Sequence, residues 1–347
     1  MSLKIVVYAM AKNEADNVSQ FARCVEGADQ VIVTDTGSDD GTPDLLRDQG
    51  FKVYNARVMP WRFDVATNVA LANVPADADV CVKLDLDEVL HTTDGSPWRS
   101  EIEQLWQPGV NRIRYWYTWN WHVLGKVPAV RFRTAHIHGR EHFVWRHAGH
   151  AALTHTDRQR GRTAEAQRLE IHHYMQAKGR PNYLPLLQLA VHECKCPRTL
   201  FYLGREYFYR QMNDNCISTL QEYLGHPAST WRAERADALR MIGVSYGRKG
   251  DEHSALSYLM RSVAECPGVR DLWFEVLRHF HEVNDFAGGY WAAGKVLEID
   301  QREPELCVSD GAAWFDMPLL LAASCAWNCG REQEARVWLE QGLRLNP

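Results

Sequence analysis

Residues 83–90 read KLDLDEVL and follow directly on the apolar run ADVCV (78–82). A short apolar run bounded by charge reads as a buried strand, which leaves Asp85, Asp87 and Glu88 at its mouth. Three carboxylates so placed repel one another and resist desolvation, an arrangement that makes sense mainly with a positive charge among them. A divalent cation is the obvious candidate. Upstream the period alternates. KIVVYAM (4–10), QVIVTD (30–35) and KVYNAR (52–57) read as strands, like DVCVKLD (79–85). Between them VSQFARCVEGA (18–28), TPDLLRDQG (42–50, closed by Gly50) and RFDVATNVALANV (62–74) have helical spacing. Strand-helix alternation predicts right-handed crossovers and an α/β fold with a doubly wound, mainly parallel, Rossmann-like sheet. Ligands of such sheets bind beyond the carboxyl ends of the strands, where YAMAKNE (8–14), DTGSDDGT (35–42) and LDLDE (84–88) all fall.

The chain has 347 residues, 46% of them apolar, and can bury a large core in two domains. No stretch approaches the length of a membrane span, and the apolar start is too short, with Lys12 and Glu14 behind it, to be a signal peptide. A soluble cytoplasmic protein is expected. The nine cysteines lack framework spacing and read as reduced core thiols; HECKC (192–196) fits no common zinc template.

Residues 111–175 read as further strands, some antiparallel, in NRIRYWYTWNW, AVRFRTAHI and RLEIHHY. Beyond about residue 182 helical periodicity takes over. Gly250, Ala255 and Pro267 stand at the same mutual offsets as Gly330, Ala335 and Pro347, and Gly243 or Ala323 precedes each glycine by the same interval. That is tetratricopeptide spacing. A weaker copy spans 202–224, with Gly204 and Cys216 in the small positions, and a degenerate one spans 271–300. Four helical hairpins are predicted, dividing the chain into an α/β domain over 1–182 and an all-α repeat domain over 183–347. The repeats imply a protein partner or a homo-oligomer.

AKNEADNV, VIVTDTGSDDGT, WRFDVATNVAL and VKLDLDEVL, in that order, resemble the motifs of family-two nucleotide-sugar glycosyltransferases of the GT-A fold, over roughly residues 4–175. A GT-A domain followed by tetratricopeptide hairpins resembles a bacterial and phage subgroup, which implies the host cytoplasm if the chain is phage-encoded. The resemblance implies a UDP-sugar donor and Mn²⁺ or Mg²⁺, with Asp87 on the metal, Asp85 toward the ribose and donor sugar, and Glu88 behind them. It places Asp35 on the uracil edge, with Ala11 and Glu14 along base and ribose; a turn-closing role for Asp35 is compatible with this. Arg62 and Asn68 would flank the donor; where the family has Arg-Asn this chain has Thr67-Asn68, so an arginine contact is either lost or supplied by Arg62. A histidine near the end of such domains closes the metal site. His172 and His173 point to opposite faces of a strand, and His173 is chosen. Lys178 and Arg180 would clamp the diphosphate. The base expected from a His-Glu pair is missing, since His150 is followed by Ala151; Glu141, His147, His150 and Asp157 are the candidates.

Between residues 110 and 182 thirteen Lys and Arg stand against four Asp and Glu, a balance of +9, so that with −5 overall the remainder carries −14. Tyr115, Trp116, Trp119, Trp121 and Trp145 are interleaved with the basic residues. Basic charge with aromatics suits phosphate contact and base stacking. The expected function is therefore inverting, metal-dependent transfer of a sugar to a macromolecular hydroxyl. The favoured acceptor is hydroxymethylated pyrimidine in phage-type DNA, bound through Trp119, Trp121, Arg140 and Trp145. A polypeptide, a cell-envelope glycan, or a non-catalytic tetratricopeptide adaptor are the alternatives.

Overall fold

The computed structural model describes residues 3–121, 128–157, 161–174, 182–301 and 311–345; Lys178 and Arg180 lie outside them. The chain forms two units, residues 1–120 with 133–182, and residues 121–132 with 183–347. The strands are β1 (Ile5–Ala11), β2 (Gln30–Asp35), β3 (Lys52–Asn55), β4 (Val80–Lys83), β5 (Glu88–Thr92), β6 (Val110–Trp121), β7 (Pro128–Gly139), β8 (Phe143–Arg146), β9 (Ala152–His155) and β10 (Arg162–His173). The helices accompanying them are α1 (Val18–Cys24), α2 (Thr42–Asp48), α3 (Phe63–Ala72) and α4 (Trp98–Leu105).

Eight strands form one sheet in the order β3-β2-β1-β4-β7-β6-β10-β5, and β8 pairs with β9 apart from it. This sheet is mixed, and the doubly wound, mainly parallel GT-A sheet expected from the sequence is not what the chain forms. Parallel pairing joins β3, β2, β1 and β4, the block in which a helix follows each of the first three strands. The pattern then breaks. Leu84–Asp87 alone links β4 to β5, far too short for a parallel crossover, and β5 runs antiparallel to β10 at the opposite edge. β4 likewise meets β7 antiparallel.

β1 and β4 are buried along nearly their whole length, as apolar runs covered on both faces must be. Val6, Tyr8, Ile32, Ala70, Leu71, Val74 and Cys81 pack there around the Trp145 indole. The indole N–H donates to the Tyr8 hydroxyl at 2.9 Å, and Tyr8 lies 2.9 Å from His138 Nε2. His138 Nδ1 donates to the Gly139 carbonyl at 2.7 Å, so Nε2 is free to accept from Tyr8. The chain of bonds closes only with a neutral imidazole. Burial, with the nearby Arg112 and Arg140 charges, pushes the His138 pKa down to about 4. The unfolded state binds this proton more tightly, so the stability is complete above the unfolded value of about 6.5 and is lost as pH falls toward 4. Urea unfolding between pH 7 and pH 4 should show about 3 kcal/mol of loss assignable to this group, and His138→Gln should flatten that slope. An unchanged slope in the variant would dismiss His138 as its source.

The second unit is built from α5 (Leu184–Glu193), α6 (Pro197–Tyr209), α7 (Asn213–Gly225), α8 (Arg232–Arg248), α9 (Glu252–Glu265), α10 (Arg270–Glu282), α11 (Phe286–Glu298), α12 (Asp316–Asn328) and α13 (Glu332–Leu345). From α6 onward, successive helices pair as hairpins. Small residues sit where the paired helices approach: a Cβ on Gly204 would lie 2.4 Å from Leu220, and one on Gly243 2.8 Å from Leu259. Each hairpin turns through one left-handed residue, Gln211, Gly250, Asn284 or Gly330. The amide after it bonds back to the last turn of the preceding helix, as in Met212 N to Tyr207 O (3.0 Å), Asp251 N to Tyr246 O (3.1 Å), Asp285 N to Phe280 O (2.9 Å) and Arg331 N to Ala326 O (2.9 Å). This is the six-to-one bond of a Schellman motif, which satisfies helix-end carbonyls. No helix among the described residues is long and apolar enough to cross a membrane.

Candidate functional site

The acidic turn after β4 already contains a cation. Lys83 Nζ contacts Asp85 Oδ2, with the lysine largely buried. Burial works against its charge, but Asp85 and Glu88 outweigh this and raise the lysine's pKa. Glu88 is buried as well, and burial together with Asp85 raises its carboxyl against the opposing pull of Lys83. It braces the turn from behind. One oxygen accepts from the Asp85 amide at 2.8 Å and the other from the Tyr117 hydroxyl at 2.7 Å.

Asp87 is held by the other end of the unit. β10 carries an irregularity between Glu165 and Glu170, where the Gln167 and Arg168 amides donate to Glu101 of α4 at 2.9 and 3.1 Å. Beyond it the strand runs antiparallel to β5 with His173 opposite Glu88. The Tyr174 amide donates to the Asp87 carbonyl at 3.0 Å, and His173 Nε2 stands 3.1 Å from Asp87 Oδ2. His173 Nδ1 donates to the Trp119 carbonyl at 3.1 Å, which aims Nε2 at the carboxylate. Partial burial would raise Asp87 and lower His173, but their hydrogen bond and opposite charges prevail: Asp87 is held down and His173 up. The Trp119 ring stacks on His173 with centroids 4.6 Å apart and is 44% exposed.

Asp87 and His173 therefore offer two converging ligand atoms, one oxygen and one nitrogen, on a half-buried ledge. A hard divalent ion completes such a partial shell with water and phosphate oxygens. The residues fit Mn²⁺ or Mg²⁺ in that sense. Asp85 instead engages Lys83.

The other predicted site residues are placed as follows. Ala11 and Asp35 are register neighbours at the carboxyl ends of β1 and β2. Asp35 accepts from the Gly37 and Ser38 amides at 3.0 and 3.1 Å, closing its own turn. Glu14 accepts from Asn17 at 2.6 Å. Arg62 is paired to Asp64 at 2.9 Å. Asn68 bonds the Trp145 backbone in both directions, at 2.8 and 2.9 Å, tying α3 to β8. Arg140 donates to the Val74 carbonyl at 2.9 Å. Glu141 is exposed just before β8, His150 has a left-handed backbone between β8 and β9, and Asp157 follows β9 with its amide on His155. His147, between β8 and β9, is left-handed too.

Much of the predicted basic, aromatic surface is used within the fold. Arg114 and Arg133 share Glu165 at 2.8 and 2.7 Å, Arg168 pairs with Asp94 at 2.9 Å, and Arg133 lies over Trp116. Tyr115 and Trp145 are core residues. Trp119 is open; Trp121 ends β6 in the part of the chain that groups with the helices.

No family model and no curated protein matches the chain. The solved structures it is similar to include MamA (14% identity, 46% of this chain and 85% of that one, TM-score 0.38) and PilF of Pseudomonas aeruginosa (13%, 47% and 67%, 0.38). They also include YrrB, described as a TPR protein with an unusual peptide-binding site (14%, 47% and 76%, 0.37). These findings overturn the assignment to family-two glycosyltransferases made from the four motifs, and with it the GT-A fold and the phage-type DNA-modification reading. The motifs are strand ends and tight turns, which a mixed sheet with an acidic edge presents as readily.

Proposed function

We propose that the chain is a metal-dependent enzyme that binds a divalent cation at Asp87 and His173 and transfers a group from a diphosphate-bearing donor, a UDP-sugar being the first to test, to a hydroxyl of a polypeptide. The observation that carries the reading is the 3.1 Å approach of His173, at the end of β10, to Asp87 in the link between β4 and β5. Mn²⁺ or Mg²⁺ would supply neutralisation of the charge that develops on a departing diphosphate. Lys83 and Asp85 then act as a pair. The buried ammonium orients Asp85 toward the turn and adds a fixed positive charge where phosphate oxygens would lie. Ala11 and Asp35 lie on the same carboxyl edge as Asp85, the usual place for a nucleotide in an open α/β sheet. The helical hairpins suit a polypeptide acceptor because stacked repeats present an extended surface, and one of the similar structures is described as peptide-binding.

A second reading, a non-catalytic adaptor, is favoured by one observation. Lys83 on Asp85 and His173 on Asp87 neutralise the acidic turn without any metal. Ligand-induced melting shifts separate the two. UDP with Mn²⁺ should raise the melting temperature by several degrees at saturation, since a ligand held at 100 times its Kd adds about 2.7 kcal/mol to the native state. The same shift in chelator would remove the metal from the reading, and no shift with any nucleoside diphosphate would leave the adaptor. Turnover is checked by mass spectrometry of peptide pools incubated with UDP-sugars.

A further inference from the structure

On the opposite face of β10 from His173, a second cluster forms that the proposed chemistry does not use. Glu170 stands directly opposite His91 of β5, and His172, two residues on, shares its face. His91 Nε2 lies 3.0 Å from His172 Nε2 and 3.1 Å from its Nδ1, and His172 Nε2 lies 2.9 Å from Glu170 Oε2. The three ligand atoms all fall within 4.8 Å of one another. Tetrahedral zinc with bonds near 2.0–2.1 Å sets its ligands about 3.3 Å apart, so small rotations open this triangle to a metal. His91 Nδ1 donates to the Thr92 carbonyl at 3.2 Å. That bond fixes the tautomer and turns the Nε2 lone pair toward His172 and Glu170, the outer arrangement that metal-binding histidines show. Burial and the neighbouring His172 lower the pKa of His91, which favours the neutral ligand form. Thr118, the register neighbour of His172 on β6, is buried with its hydroxyl lacking a hydrogen-bond partner among the described residues. A water on the metal's fourth position would answer it.

We propose that His91, Glu170 and His172 form a transition-metal site, taking Zn²⁺ or a similar borderline ion in a two-histidine, one-carboxylate set, with water as fourth ligand. Imidazoles select such ions over Mg²⁺. The site clamps β5 to β10, the two strands that hold Glu88 and His173 in register.

The full chain, stripped with chelator, is titrated with Co²⁺ and followed by its visible ligand-field bands and by equilibrium dialysis. Asp87→Asn, which removes the other cation site, should keep the bands of tetrahedral intensity and one bound equivalent, whereas His91→Ala or His172→Gln added to it should lose both. Bands that persist in both histidine variants, or their absence from Asp87→Asn and the unmodified chain alike, overturn the proposal. Should the variants fail to fold, the unmodified chain decides: Zn²⁺ should protect His91 and His172 from diethyl pyrocarbonate several-fold more than Mg²⁺ does. Equal labelling under the two ions overturns it.

Discussion

Asp87→Ala lowers donor turnover by on the order of 10²–10³-fold, the scale for losing one preorganised electrostatic partner at a reacting centre, and removes the metal-dependent part of the nucleotide melting shift. His173→Ala does the same more mildly, since water can replace a neutral nitrogen ligand more readily than a carboxylate. The sequence alone suggested that deleting one of three repelling carboxylates would relieve strain in the free protein. The structure reverses that sign. Asp87 is bonded to His173 at 3.1 Å, so its loss costs about 1.5–3 kcal/mol, as for a hydrogen bond to a charged group. The pair is also bounded in pH. Asp87, with its lowered pKa, contributes above its unfolded value and loses this as pH falls through the folded one; His173, raised, contributes below its unfolded value and loses this as pH rises through the folded one. Single-turnover assays beside urea unfolding measure both effects. Turnover unchanged in Asp87→Ala would sink the catalytic reading and leave the acidic turn as a self-neutralised ion cluster.

The candidate site was legible where chemistry lies within a few residues and illegible where pairing decides. Strand alternation separated His172 from His173, and the structure sends them to different partners. Nothing in the spacing could reveal that His91 faces Glu170, because the antiparallel register between β5 and β10 joins residues almost eighty positions apart. The cation sought for the acidic turn was present in the quoted stretch itself. Lys83 meets Asp85, two residues on. The charge balance of residues 110–182 misled for a related reason. Composition counts Arg114, Arg133 and Arg168 as available, although Glu165 and Asp94 engage them across strands and turns.

In the helical unit the two clear repeats were legible because glycine marks the left-handed turn at Gly250 and Gly330. The weaker ones place Gln211 and Asn284 in that conformation instead. Asparagine tolerates it through its short polar side chain; for Gln211 the six-to-one helix-end bond holds the turn. The sheet's mixed pairing was misjudged because the helix-per-strand rhythm ends at β4, and the link through Leu84–Asp87 was read for its ligands and not for its length.

Glu275→Ala destabilises the helical unit by about 3 kcal/mol, the lower end of the cost of breaking a buried ion pair from one side, since Arg240 keeps Asp237. Glu275 of α10 is 4% exposed and accepts from Arg240 of α8 at 3.0 Å, while Arg240 donates to Asp237 on its own helix at 2.8 Å. Arg278 meets the other Glu275 oxygen at 2.7 Å. Burial opposes the charge on Arg240, yet the two carboxylates outweigh it and raise its pKa, so the guanidinium stays ionised when Glu275 is removed. Phe208 lies under it, 5.5 Å from the guanidinium carbon, so Asp237 is the carboxylate left to hold Arg240 once Glu275 is gone. The bond joins neighbouring hairpins, and in stacked repeats an interface term of this size propagates along the array. Replacing the whole buried triad, with Asp237→Ala and Arg240→Met on top of Glu275→Ala, should recover part of the loss, because neither Arg240 nor Asp237 is then left as a buried charge without its partner. Denaturant unfolding of the full chain, followed by far-ultraviolet circular dichroism, measures both variants. A loss under about 1 kcal/mol in Glu275→Ala, or no recovery in the triple variant, would mean that water reaches Arg240 and that hydrophobic packing alone sets the stacking of α8 on α10.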